Sequence, residues 1–137
     1  MAIGIARMLG VELSENFRGV FKAKNFREFW QRWHITLSTF LRDYLYIPLG
    51  GNPRGRSCAL INLMLVMLIG GLWYGASVLF LIWGCWHGLL LISERLLGDR
   101  HPTPWLPKPL ALLFTYCLVL LGLVAFRSEL WDAALQI

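Results

Sequence analysis

The stretch CALINLMLVMLIGGLWYGASVLFLIWGCWHGLLL, residues 58–91, runs for 34 residues without one Asp, Glu, Lys or Arg. As a single helix, at about 1.5 Å per residue, it would measure roughly 50 Å against a bilayer hydrocarbon core of about 30 Å. One straight crossing is too long, and two full crossings need around 40 residues. Gly70-Gly71 offers the natural break. A helix stopping at Ile69 would reach only about 18 Å in, leaving Trp73-Tyr74-Gly75 at membrane depth beside irregular backbone. Such backbone is tolerated only inside protein or along a wet cavity. The expectation is a broken membrane segment over residues 58–97 with a site at its break.

The composition agrees. Hydrophobic residues make up 57% and charged residues 15%, with a mean hydropathy of +0.56. Ordinary globular chains hold roughly 45–50% and about 25%. Residues 110–126 form a further apolar run, about 25 Å long as a helix, with Arg127 placed to snorkel at its end. Residues after it read as the start of a separate amphipathic helix.

Charge is unevenly spread. Residues 1–56 hold nine of the thirteen Lys and Arg and four of the eight acids, so the whole net charge of +5 lies there. A basic stretch beside apolar spans marks a cytoplasmic membrane surface, which puts the turn LGGNPRGR (residues 49–56) on that side. Nucleic acid is excluded as a partner, because the apolar remainder would leave no soluble body. Cys58, Cys85 and Cys117 sit in apolar runs without zinc-like spacing, so no metal is called for. Residues 1–10 lack the pattern of a secretory signal and read as the tail of a helix running into a loop, a start in mid-protein.

Residues 25–47 read as one amphipathic helix. Asn25 is its N-cap, and Glu28 three residues on makes an approximate capping box. Phe26, Phe29, Trp33, Leu37, Phe40 and Tyr44 form the apolar stripe, with Arg27, Gln31, His34, Ser38 and Arg42 along a polar edge. The helix is too charged to span, so it lies at the interface or packs beneath the spans, and Trp30, Tyr44 and Tyr46 would suit headgroup level.

Three side chains could carry chemistry. His34, on the polar edge, is either a reactive imidazole or an interfacial histidine bonded to a loop carbonyl. His87 lies in apolar sequence, where a polar ring costs free energy unless paired. It is a functional group or helix-to-helix glue, and its neighbours one turn away, Trp83 and Leu91, offer no acceptor. Tyr74 is a packing residue with a polar handle, or a hydrogen-bond donor. The cassette Trp73-Tyr74-Gly75 recurs thirteen residues later as Trp86-His87-Gly88. Glu94-Arg95 and residues 98–109 read as the next loop, rich in proline and charge, with His101 solvated in it.

EFWQRWHITLSTFLRDYLYIPLGGN (residues 28–52), then GGLWYGAS and WGCWHGLLLISER (residues 83–95), closely resemble the membrane-bound O-acyltransferase family. The branch resembled is the bacterial one that modifies alginate and teichoic acids. The resemblance covers essentially the whole chain, and it implies the C-terminal part of a longer polytopic protein. It also implies transfer of an acyl group, acetyl in the branch resembled, to a hydroxyl of an envelope polysaccharide or polyol. The implied co-substrate is a thioester donor such as acetyl-CoA or an acyl carrier, with no bound cofactor. The implied surroundings are the lipid bilayer of the bacterial inner membrane, a glycan acceptor and periplasmic acetylation partners.

His34 matches the histidine of the family's RWH motif, and His87 that of the HG motif common in this branch. Where the branch reads GLWHG, with a histidine regarded as catalytic, this chain reads GLWYG. Tyr74 stands in the base's place. A neutral imidazole, with an ordinary pKa near 6.5, can take a proton at physiological pH; a phenol, near 10, is a poor base. Loss of a general base costs about 10²–10⁴-fold unless another group substitutes. Three explanations stand: His34 or His87 takes over, tyrosine donates a proton to the carbonyl, or the chain is a degenerate, non-catalytic membrane module. Ion-coupled transport is disfavoured, because residues 58–92 hold no charged side chain.

The fold expected is all-α: a polytopic helical membrane protein with one interfacial helix and two to three embedded helices. Residues 1–137 form one partial domain, divided into a lead-in loop (1–24), the amphipathic helix (25–47), the broken segment (58–97) and a span (110–126).

Overall fold

The computed structural model describes residues 2–51, 55–97 and 107–135, and every regular element among them is helical. In chain order these are α1 (Ala2–Met8), a 3-10 turn (Val20–Lys22), α2 (Phe26–Arg32), α3 (Ile35–Leu41), a π-helical turn (Arg42–Tyr46), α4 (Arg56–Tyr74), α5 (Val78–Leu97) and α6 (Lys108–Leu135). His101 and the greater part of its loop lie outside the described residues, as do residues 52–54.

α4 and α5 form an antiparallel hairpin, closed at its open end by the Arg56 guanidinium donating to the Leu96 carbonyl at 3.0 Å. Both are long and apolar enough to cross a membrane. The expected break at Gly70-Gly71 is corrected: α4 runs through both glycines to Tyr74, and the chain turns at Gly75–Ser77. The 19 and 20 residues of α4 and α5 give about 28 and 30 Å, enough for two crossings. The extra length comes from Arg56-Ser57 before the apolar run and residues 92–97 after it. The glycines serve packing rather than bending. A Cβ on Gly84 would lie 2.5 Å from the Met67 carbonyl oxygen, and one on Gly71 would collide with the carbonyl of Phe80. Small residues let the two backbones touch, as helices in lipid require.

The expected continuous helix over 25–47 is also corrected. Asn25 caps α2 as anticipated, its side chain accepting the Glu28 N–H at 2.7 Å, while Glu28 accepts the Lys24 N–H at 2.8 Å. But α2 ends at Arg32, Trp33 is extended, and His34 adopts the left-handed region (φ 42°, ψ 58°) before α3 begins. An extended strap beside the turn holds it: Arg18 donates its N–H to the Arg32 carbonyl, and the Asn16 carbonyl accepts the Ile35 N–H, both at 3.0 Å. The Asn16 side chain accepts from the Thr36 N–H and hydroxyl. The periodic apolar stripe persists across the break because both limbs bury a face against the hairpin.

Residues 26–46 therefore form a loop that is re-entrant with respect to the hairpin, running along it and back, rather than one continuous rod. It enters near Glu94, turns at His34 beside Tyr74, and returns past Gly70 to Arg95. A buried hydrophobic cluster lies between α2, α5 and α6, where Ala23, Phe26, Phe29 and Val119 are buried with Trp30, Trp33, Leu90 and Leu118 around them. α6 continues without interruption through residues expected to start a separate helix.

Candidate active site

The re-entrant turn brings two of the three sequence candidates side by side. The rings of His34 and Tyr74 lie 6.5 Å apart between centroids, and His34 is 6.3 Å from Trp73. Trp33, the residue before the turn, makes a side-chain hydrogen bond to Tyr74; an indole only donates, so the phenol oxygen accepts. His34 is half-buried, and its Nδ1 has no hydrogen-bond partner among the described residues. The expected bond to a loop carbonyl is not made there.

His87 joins the same array from the far side. Tyr74 packs on Trp83 at 5.3 Å, and Trp83 on His87 at 4.9 Å. Trp30 stands edge-on to both, at 5.7 and 5.4 Å. Phe29 stacks on His87 at 6.2 Å and on Trp33 at 5.5 Å. Phe17, edge-on to Trp33 at 5.1 Å, then reaches back to His34 at 6.1 Å. The contacts close into a ring of aromatic side chains joining His34, Tyr74 and His87. Each pair contributes about 0.5–1.5 kcal/mol beyond its buried area, so the array holds its own shape.

His87 is 1% exposed, and neither ring nitrogen has a hydrogen-bond partner among the described residues. An unsatisfied buried polar group costs about 1–3 kcal/mol. Its Nε2 faces α6, where a Cβ on Gly122 would lie only 2.7 Å away. The adjacent Trp86 indole donates to the Leu118 carbonyl at 2.9 Å and fixes that approach. Trp86 thus makes a polar bond between helices, while His87 makes none among the described residues.

A cavity of about 620 Å³ opens beside the array. Arg27, Arg42, Tyr46, Glu94 and Arg95 line its polar end; Leu37, Leu63, Val66 and Met67 line its walls; Trp30, Tyr74 and Trp83 stand at its inner end. Tyr74 is the sequence candidate that reaches the cavity. His34 borders it through Ile35, and His87 sits behind Trp30 and Trp83.

Sequence reasoning missed two polar residues. Glu94, assigned to a loop, is in α5 and only 7% exposed, and its carboxylate accepts the N–H groups of Phe26 at 2.8 Å and Arg27 at 3.2 Å. Asn62, passed over within the apolar run, is buried and donates to the Leu49 carbonyl at 3.0 Å. Both had a signal, since a polar side chain in apolar sequence needs a partner.

Comparison with known proteins places these elements in context. Residues 1–125 match the family described as MBOAT, membrane-bound O-acyltransferase family. The chain is 51% identical over 130 residues to a probable alginate O-acetylase AlgI of Pseudomonas putida, covering 94% of this chain and 26% of that protein. It is 45% identical over 141 residues to a peptidoglycan O-acetyltransferase of Helicobacter pylori, covering 100% and 26%. With a teichoic acid D-alanyltransferase of Bacillus subtilis it shares 27% identity over 141 residues, covering 93% and 36%. The chain thus spans about a quarter of the length of the first two relatives. Its helical architecture, its two membrane-length apolar helices and this match agree: the chain belongs to the membrane-bound O-acyltransferase family.

Proposed function

We propose that this chain supplies the reaction centre of a multi-pass O-acyltransferase of the bacterial inner membrane. It moves an acetyl group from a thioester to a hydroxyl of an envelope polysaccharide. The observation that carries the reading is the placement of His34 at a left-handed turn, against Tyr74, which itself stands at the inner end of a cavity whose other end is lined by arginines. The thioester's anionic carrier suits the arginine end, and its acyl group suits the apolar walls.

In this reading His34 accepts the proton of the acceptor hydroxyl as its oxygen bonds to the acyl carbonyl carbon. The carbon–sulfur bond then breaks, and the departing sulfur takes the proton from His34. Tyr74 keeps its own proton and donates a hydrogen bond to the developing oxyanion. His87 backs the aromatic array rather than touching substrate. The acceptor glycan belongs to the same proposal, supported by the likeness to an alginate O-acetylase and a peptidoglycan O-acetyltransferase, and periplasmic acetylation partners are proposed with it.

One observation favours a second reading, a non-catalytic membrane module: tyrosine occupies the position of a family histidine. The test is acetyl transfer from a labelled thioester to a glycan, using the full-length protein in proteoliposomes. Transfer above the protein-free background that is abolished by His34→Ala supports the enzyme. Transfer at background in the parent leaves the module.

A further inference from the structure

Two consecutive residues hold both ends of the re-entrant loop. At the outgoing foot, Glu94 accepts the Phe26 and Arg27 N–H groups at 2.8 and 3.2 Å. At the returning foot, Arg95 donates to the Tyr46 hydroxyl at 2.9 Å. Between Phe26 and Tyr46 lie nineteen residues of chain, with His34 at the turn. The helix carrying the clamp also carries His87, seven residues earlier, and Trp83, one turn further. The loop touches that same helix again through Trp30, which meets both side chains. The feet and the aromatic array are therefore referred to one rigid rod.

We propose that Glu94 and Arg95 act as a clamp that sets the position of the His34 turn, making Glu94 a positioning residue for acyl transfer. The proposal rests on the reading of His34 as the proton acceptor. Glu94 suits the task better than a surface cap would. Its carboxylate is nearly sealed from solvent, and a charged acceptor makes roughly twice as strong a hydrogen bond to an amide as a neutral one. Shortening or removing it frees the start of α2, a helix of seven residues that leads directly into the turn. Misplacement of a reacting group by about 1 Å can cost on the order of 100-fold in rate, even when its cause is remote. Glu94 and Arg27 also line the polar end of the cavity, so donor binding responds too, but the displaced turn acts on kcat and makes that the larger loss.

The experiment uses the full-length protein in nanodiscs, with Glu94→Asp, Glu94→Gln and Glu94→Ala. Acetyl transfer is scored per folded molecule after size exclusion. Glu94→Asp, which keeps the charge but is one methylene short, should lower kcat about 10-fold or more, a larger factor than the change in KM for the thioester. Glu94→Gln, which keeps the length and an acceptor oxygen, should recover to within about threefold of the parent. Spin labels at Gln31→Cys and Leu72→Cys report the turn directly. Their distance distribution should be narrow in the parent and Glu94→Gln, and broadened or shifted in Glu94→Asp. A fall in folded yield with unchanged kcat per folded molecule overturns the clamp, as does an unchanged distance distribution in Glu94→Asp. If Glu94→Ala does not fold, the Asp and Gln pair decides. If the parent transfers no acetyl group, the functional reading falls, and the spin-label distances alone decide the clamp.

Discussion

The ring of His34 lies 6.5 Å from that of Tyr74, at an interplanar angle of 76°, so the two side chains meet edge to face. They come from different elements, one at the turn of the re-entrant loop and the other at the end of α4. Their proximity lets both act on one carbonyl, His34 as proton acceptor and Tyr74 as hydrogen-bond donor. On that reading Tyr74→His should change acyl transfer in the full-length protein little, whereas His34→Ala should abolish it. Imidazole is smaller than phenol and fits the space. A rise of about 100-fold in Tyr74→His, measured in proteoliposomes, would instead show that a general base is missing at position 74.

The contact between α5 and α6 gives a second prediction. Gly122→Ala puts a methyl group 2.7 Å from the His87 Nε2 and 2.9 Å from Trp86 Cδ1. One helix must back away, at a cost of about 1–3 kcal/mol for overpacking. The melting temperature in detergent should fall, and the Trp86 fluorescence should change as its bond to the Leu118 carbonyl stretches. A melting curve matching the parent would mean that α6 does not press on His87.

Gly84→Ala tests the α4–α5 interface in the same way. The new Cβ would meet backbone, the Met67 carbonyl oxygen at 2.5 Å, which cannot swing aside as a side chain can. The expected loss is again about 1–3 kcal/mol, at the upper end, with parallel loss of folded yield. An alanine tolerated at parental stability would indicate a looser hairpin.

A pH dependence follows from Glu28. Burial acts to raise its carboxyl, but the Lys24 N–H and the Arg32 guanidinium outweigh it and hold the group below its ordinary value of 4.5. A depressed carboxyl contributes stability that is fully present above the unfolded value and is lost as pH falls through the folded one. Glu28→Gln should therefore melt below the parent at neutral pH, and the gap should close below about pH 4. A gap that persists at low pH would assign the difference to packing rather than charge.

Much of this was legible in the residues. The apolar run 58–91 announced membrane helices, and Asn25 with Glu28 announced the start of α2. The place of the break was not legible, because Gly70-Gly71 carries the signal of a bend and the signal of close packing in identical form. Only the opposing carbonyls of Phe80 and Met67 distinguish them. The turn at His34 was hidden for another reason: left-handed backbone is uncommon for any non-glycine residue, histidine's enrichment there notwithstanding, and the apolar stripe runs straight across it. Glu94 was misassigned because charge at the end of an apolar run reads as the water boundary. Its partners, the amides of Phe26 and Arg27, lie 68 and 67 residues away in sequence.

The left-handed backbone at His34 makes the choice of knockout matter. A non-glycine residue in that region carries about 1–2 kcal/mol of steric penalty, so the protein tolerates an unfavourable conformation where the proposed chemistry occurs. Alanine at position 34 would inherit the penalty, whereas glycine would relieve it. His34→Gly is then expected to unfold at a higher temperature than His34→Ala while being equally inactive. Such a dead variant that outlasts its alanine counterpart would be the signature of a trade between durability and turnover, written into one dihedral angle.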